Sequence, residues 1–181
     1  QIKIEANPSG GGIYTLQSGA GSTDRTITLP DKAGAIAVGA GIVLQTKFDT
    51  STTVTSNATS SYVATSVSVS ITPTSSSNYL YVVWQGHLLK TPAAAGGFGF
   101  DIFQDGTQKT TSYSDGGGPL EVSTDLTDRV WGRWTKAYYG LAGTTSSTTF
   151  DLRYRRYQTN GTVQSNSGSS GELMVIMEIQ A

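Results

Sequence analysis

The run S-V-S-V-S-I from Ser66 to Ile71, closed by Thr72-Pro73, decides the fold class of this chain. Val67, Val69 and Ile71 fall on one pleat face and Ser66, Ser68 and Ser70 on the other, so the segment reads as a strand with one packed and one wet side. Pro73 has no amide hydrogen for a ladder and stops it. The same period of two returns twice. Phe98, Phe100 and Ile102 alternate with Gly97, Gly99 and Asp101, and Phe150, Leu152 and Tyr154 alternate with Asp151, Arg153 and Arg155. Asp105-Gly106 reads as a tight hairpin turn into a strand over Thr107 to Tyr113. A further strand is expected within Arg129 to Leu141 and a last one within Gly171 to Gln180. No segment shows capped 3.6-residue periodicity. About eight such strands predict an all-β fold, an antiparallel β-sandwich of jelly-roll-like kind.

Two strands are apolar on both faces. In Tyr79 to Trp84, Tyr79, Tyr81 and Val83 share one face and Leu80, Val82 and Trp84 the other. In Glu172 to Ile179, Met174 and Ile176 oppose Leu173, Val175, Met177 and Ile179. A strand buried on both sides lies between its own core and a second layer. That layer is either another subunit or a loop of the same chain, such as Gly116 to Asp128. The subunit reading makes Tyr79, Tyr81, Val83, Met174 and Ile176 interface residues.

Composition supports sheet over helix. Charged residues are 14% of the 181, against about 25% in ordinary soluble domains, and 22 Ser with 26 Thr supply the missing polarity. A β-branched hydroxyl residue suits the wet face of a strand. A net charge of -1 leaves no basic stripe for nucleic acid and no polybasic patch for anionic lipid. Arg153, Arg155 and Arg156 are the one cationic cluster; they read either as the solvated face of a strand or as a phosphate or acidic-glycan site. No apolar run approaches the roughly 20 residues of a membrane span, so no membrane insertion is expected. With no cysteine, a disulfide scaffold and a thiolate zinc site are excluded.

Residues 1–41 read differently from residues 42–181. Short apolar pulses at Ile2 and Ile4, Ile13 to Leu16, Ile27 and Leu29, and Ile36 and Val38 are separated by Gly- and Ser-rich turns. So few large side chains fall below what a lone core can stabilise, which predicts a β-rich stalk shared between copies; the alternative is a flexible linker. The aromatics lie in the second part, with all three Trp, all five Phe and eight of nine Tyr between Phe48 and Tyr157.

The stretch R-T-I-T-L-P-D-K-A-G (Arg25 to Gly34) resembles the "T-L-P-D-x-x-G" element of tail-fibre and head-fibre-like proteins of tailed bacteriophages. Three later runs resemble the C-terminal region of such proteins in marine and cyanobacterial phages. These are S-V-S-V-S-I-T-P-T-S-S-S-N-Y-L-Y-V-V (Ser66 to Val83), G-T-T-S-S-T-T-F-D-L-R-Y (Gly143 to Tyr154) and L-M-V-I-M-E-I-Q-A (Leu173 to Ala181). The resemblance implies a homotrimeric fibre at the virion exterior, joined to other virion proteins through its N-terminal segment. Its β-sandwich head would bind a host-surface glycan or outer-membrane protein. The alternative is a purely structural fibre, adaptor or decoration protein. The resemblance implies no cofactor and carries over no individual binding residue.

For receptor binding, loop aromatics edged with amide and carboxylate groups suit a sugar, whose C–H faces stack while its hydroxyls need partners. Tyr113, Asp115, Trp131, Tyr157 and Asn160 meet that description, whereas Trp134 and Tyr138 read as core packing within a strand pattern. Enzymatic roles find little support. Asp101, Asp105, Asp115, Glu121, Asp125 and Asp128 are the loose acidic candidates for glycoside cleavage. His87 is the single possible imidazole base, it stands near the expected end of a strand, and there is no G-x-S-x-G elbow. The chain is therefore expected not to be an enzyme, and no metal site is expected.

Overall fold

The computed structural model describes residues 40–91, 97–110, 130–157, 161–166 and 171–181, with Trp131 and Tyr157 described by their backbone. The chain divides into two compact units, Gln1–Ile36 and Ala37–Ala181, and the second carries every described residue. All of the expected stalk but residues 40 and 41 therefore lies outside the described residues, as do the alternative covering loop 116–128, Tyr113, Asp115, Glu121, Asp125, Asp128 and Asn160.

No helix occurs among the described residues. In chain order the strands are β1 (Val43–Ser51), β2 (Thr55–Asn57), β3 (Val63–Ile71), β4 (Tyr79–Lys90) and β5 (Gly97–Gln104). They continue with β6 (Thr107–Gln108), β7 (Val130–Leu141), β8 (Thr148–Tyr157), β9 (Val163–Ser165) and β10 (Glu172–Ile179). All pairings are antiparallel. One sheet runs β1-β10-β4 with β7 on the other side of β4, while β9 and β2 extend it beside the far end of β4. The second sheet runs β3-β8-β5-β6.

The alternation read in the sequence fixes which sides meet. Val67, Val69 and Ile71 of β3, Phe98 and Ile102 of β5, and Phe150, Leu152 and Tyr154 of β8 form one wall of the core. Leu80, Val82, Trp84 and Leu88 of β4, with Met174 and Ile176 of β10, form the other. Trp134 and Tyr138 of β7 pack against this core from the edge, as the strand pattern predicts. Two aromatics lie flat along their own strands, and that requires glycine two residues on. A Cβ on Gly86 would stand 2.3 Å from Trp84 Cζ2, and one on Gly140 would stand 2.2 Å from the Tyr138 hydroxyl.

The Asp105-Gly106 turn is as the sequence predicts. Its two residues have φ of 48° and 81°, the left-handed geometry that a two-residue hairpin needs. Asp105 is anchored further: its carboxylate accepts from Thr148 Oγ1 at 2.6 Å and from the Thr149 amide at 2.8 Å. The described part of the following strand is shorter than the expected Thr107 to Tyr113, ending at Gln108. His87, expected near a strand end, lies inside β4 because that strand continues through three more apolar or aliphatic-stemmed positions to Lys90.

The sandwich is closed by two buried glutamates at the ends of β10. Glu178 accepts from Asn78 Nδ2 at 2.6 Å, the Thr74 amide at 2.8 Å, Thr74 Oγ1 at 2.7 Å and Gln45 Nε2 at 2.6 Å. Burial alone would raise this carboxyl, but the bonds from Asn78, Gln45 and Thr74 outweigh it and hold its pKa down to about 2. Glu172 accepts from Ser66 Oγ at 2.6 Å, Asn166 Nδ2 at 2.9 Å and Trp84 Nε1 at 2.9 Å. Each carboxylate ties β10 to the other sheet or to the loop before β4, satisfying polar groups where the apolar core stops.

Candidate interaction surface

The register of β10 on β4 decides which residues share an outer face. Val175 pairs with Val83, Met177 with Tyr81 and Ile179 with Tyr79, whereas Met174 pairs with Trp84 and Ile176 with Val82. The five residues expected at a subunit interface therefore divide. Tyr79, Tyr81 and Val83 face outward, but Met174 and Ile176 are fully buried in the core of their own chain. The sequence shows that both strands are apolar on two faces. It does not show which set on β10 aligns with which set on β4, because a one-residue slip exchanges the faces.

The flanking strands extend the outer face. On β1, Thr46 pairs with Met177, Phe48 with Val175 and Thr50 with Leu173. On β7, Leu141 pairs with Tyr79, Tyr139 with Tyr81, Ala137 with Val83 and Thr135 with Gln85. These residues are uncharged, and the next outward position on β7, Arg133 opposite His87, is a charged and exposed one. Phe48 is 70% exposed, Tyr139 57% and Leu141 56%, and Tyr79 stacks on Tyr139 with ring centroids 4.9 Å apart and planes within 6°. Four strands about 4.8 Å apart and about seven residues long, at about 3.3 Å each, give a face of roughly 400 Å². Exposed apolar side chains grouped on one face in this way are a mark of an interaction site. Phe48, Tyr139 and Leu141 escaped the sequence reading because β1 and β7 are distant from β4 and β10 in the chain.

The outer side of the second sheet has the opposite chemistry. Asp101, on the β5 position opposite Arg153, is fully buried. Its carboxylate accepts from Tyr62 Oη at 2.5 Å, Gln108 Nε2 at 2.9 Å and Thr110 Oγ1 at 3.0 Å. Lys136 Nζ lies 3.2 Å from it. Arg153 forms a two-pronged pair with Asp151, at 2.7 Å through Nε and 3.0 Å through Nη2, and sits 4.7 Å from the Phe103 ring centroid. That hydrogen bond raises the Arg153 pKa, against an opposing effect of burial. Arg155 lies over the Tyr62 ring at 4.8 Å. Arg156 pairs with Phe98 in register and so belongs to the opposite side of β8; it donates to the Gly161 carbonyl at 3.0 Å. The arginine run is thus divided between two faces.

Asp101 is engaged by four donors and Asp105 by its turn, so neither presents an unengaged carboxylate of the kind glycoside cleavage uses. His87 is buried within β4, and burial, then the charge of Arg133 opposite it, lower its pKa. Trp131 pairs with Leu89 at one end of β7, and Tyr157 pairs with Gly97 at the end of β8. These two lie in different sheets. Among the described residues no group of three or more His, Asp or Glu side chains is arranged to hold a metal ion.

No protein-family model matches the chain, and no curated protein matches it. Among solved structures, one similar chain is that of dimeric latent PorU from Porphyromonas gingivalis, at 10% identity and a TM-score of 0.37. The likeness covers 80% of this chain and 14% of that one.

Proposed function

We propose that this chain is the head of a trimeric virion fibre of a tailed phage, and that the fibre mediates attachment to the host surface. One observation carries the assembly half of that reading: around Tyr81, Val83, Val175 and Met177 the outer face of β1-β10-β4-β7 is apolar, with Phe48, Tyr139 and Leu141 exposed and Arg133 the charged residue at its far end. A second copy of the chain is the occupant proposed for it. Burying Tyr81, Val83, Val175 and Met177 against like surfaces removes apolar area from water, and none of these four carries a charge whose desolvation would need compensation. The strand order β1-β10-β4-β7 opposite β3-β8-β5-β6 supports a jelly-roll reading, in which β2 and β9 are additions at one end. The attachment half rests on the resemblance of the Arg25 to Gly34 element and of the three later runs to phage fibre proteins.

Sedimentation mass of the full chain tests assembly, and competition with virions for adsorption to host cells tests attachment. A trimer that falls to monomers in Met177→Lys, with the β-sheet signal unchanged, is the expected result. A wild-type monomer would overturn the assembly reading. A trimer without effect on adsorption would leave a purely structural fibre.

A further inference from the structure

We infer that Arg155 and Tyr62, on the outer side of the β3-β8-β5-β6 sheet, form a binding site for a carboxylate-bearing glycan. This rests on the attachment reading above for its biological setting, but the site itself stands on charge and geometry. Three cationic side chains are close together here, and two are neutralised by short contacts within the chain: Arg153 by Asp151 and Lys136 by Asp101. Among the described residues no carboxylate lies within ion-pair distance of Arg155, and none accepts a hydrogen bond from its guanidinium. Its one contact of note is the Tyr62 ring, 4.8 Å away, and its Nε is buried without an acceptor. The Nη ends are therefore the part of the fork left to receive a ligand.

The platform beneath that fork is held rigidly. The Tyr62 hydroxyl donates to the buried Asp101 carboxylate at 2.5 Å, and the ring meets Phe103 edge-on with centroids 5.1 Å apart. The register partner of Arg155 on β5 is Gly99, which has no side chain to compete for the guanidinium. A stacked, planar guanidinium loses little freedom on binding, and its paired N–H groups match the two oxygens of a carboxylate. One uncompensated positive charge in a chain of net charge -1 suits a polymer with one carboxylate per sugar better than a polyphosphate, which requires a basic stripe. Uronate polymers are the corresponding ligand class, the sugar's C–H faces lying against the aromatic edge.

The test uses the full chain with polygalacturonate as probe, and with neutral dextran, dextran sulfate and poly-L-glutamate as comparisons. Polygalacturonate binding that weakens with salt, falls at least tenfold in Arg155→Met and is partly kept in Arg155→Lys is the expected result. Thermal melting of both variants serves as the folding control. No binding by the wild type, equal binding by Arg155→Met, or equal affinity for dextran sulfate or poly-L-glutamate would overturn the assignment. Loss of trimer in Arg155→Met would overturn it too, by assigning the arginine to another copy. Virion adsorption separates this inference from the reading it rests on. If wild type and Arg155→Met block adsorption equally, attachment stands and this site falls. If polygalacturonate binding needs Arg155 but adsorption is untouched, the site stands and attachment falls.

Discussion

The outer faces of the two sheets solve the same problem in opposite ways. The β1-β10-β4-β7 face presents Phe48, Tyr81, Val175 and Met177 with no charged residue among them. The β3-β8-β5-β6 face presents Asp151, Arg153 and Arg155, and its described carboxylates Asp101 and Asp151 are both engaged. Both sheets share one core, so the difference cannot come from the demands of folding a single chain. On the assembly proposed above, the first face is covered by protein and the second remains in contact with water and with what is dissolved in it.

The largest effect that would sharpen this comparison comes from the inner side of the same sheet. Met174→Lys places an unpaired ammonium in the closed core and should cost at least about 4 kcal/mol, abolishing the folded head in a denaturant titration. Wild-type-like stability would mean that the register of β10 on β4 is wrong and that Met174 faces outward.

Acid should act next most strongly. The Glu178 carboxyl has a pKa of about 2 when folded against 4.5 for a free side chain. A depressed folded pKa gives stability that is present above pH 4.5 and lost as pH falls toward 2. The loss should approach about 3 kcal/mol, and a pH series of melting temperatures on wild type and Glu178→Gln measures it. The variant should be less stable at neutral pH and flatter across that window. An equally steep fall in both would place the acid sensitivity elsewhere.

Gly86→Ala comes third, at about 1–3 kcal/mol, because its Cβ would meet Trp84 Cζ2 at 2.3 Å and Glu172 Cβ at 2.9 Å. A melt at unchanged temperature would show that Trp84 has room to move. The smallest effect on folding belongs to Met177→Lys, three residues from Met174 but on the open face. Unfolding of the isolated head should change by no more than about 0.5 kcal/mol, while the proposed assembly should be lost. A large destabilisation there would erase the contrast between the two sides of β10.

Much of the fold is legible in the sequence. The Ser/Val alternation of β3, the Phe/Gly alternation of β5 and the Phe150 to Arg155 pattern each assign core and outer sides correctly, because a period of two has one physical meaning in a half-buried strand. Asp105-Gly106 is legible for the same reason, since few dipeptides accept two positive φ values. The interaction surface is less legible. Tyr79, Tyr81 and Val83 were identifiable as doubly buried candidates, but pairing them with Met174 and Ile176 instead of Val175 and Met177 was a matter of register. The buried role of Glu172 and Glu178 left one trace, an acid at each end of the apolar run L-M-V-I-M. That trace resembles ordinary strand-end charges.

By itself, then, the sequence determined that this protein is all-β, which sides of most strands are dry, and that β4 and β10 carry more apolar surface than one core needs. Those properties are local, set by side-chain alternation and turn chemistry over a few residues. Tertiary structure alone decided that β1 and β7 extend the apolar face of β4 and β10, that Arg153 is paired with Asp151 while Arg155 lies over Tyr62, and that Asp101 is held by Tyr62, Gln108, Thr110 and Lys136. Each of these depends on which strands become neighbours and in what register, and that is settled by packing two sheets around one core, across tens of residues of intervening chain.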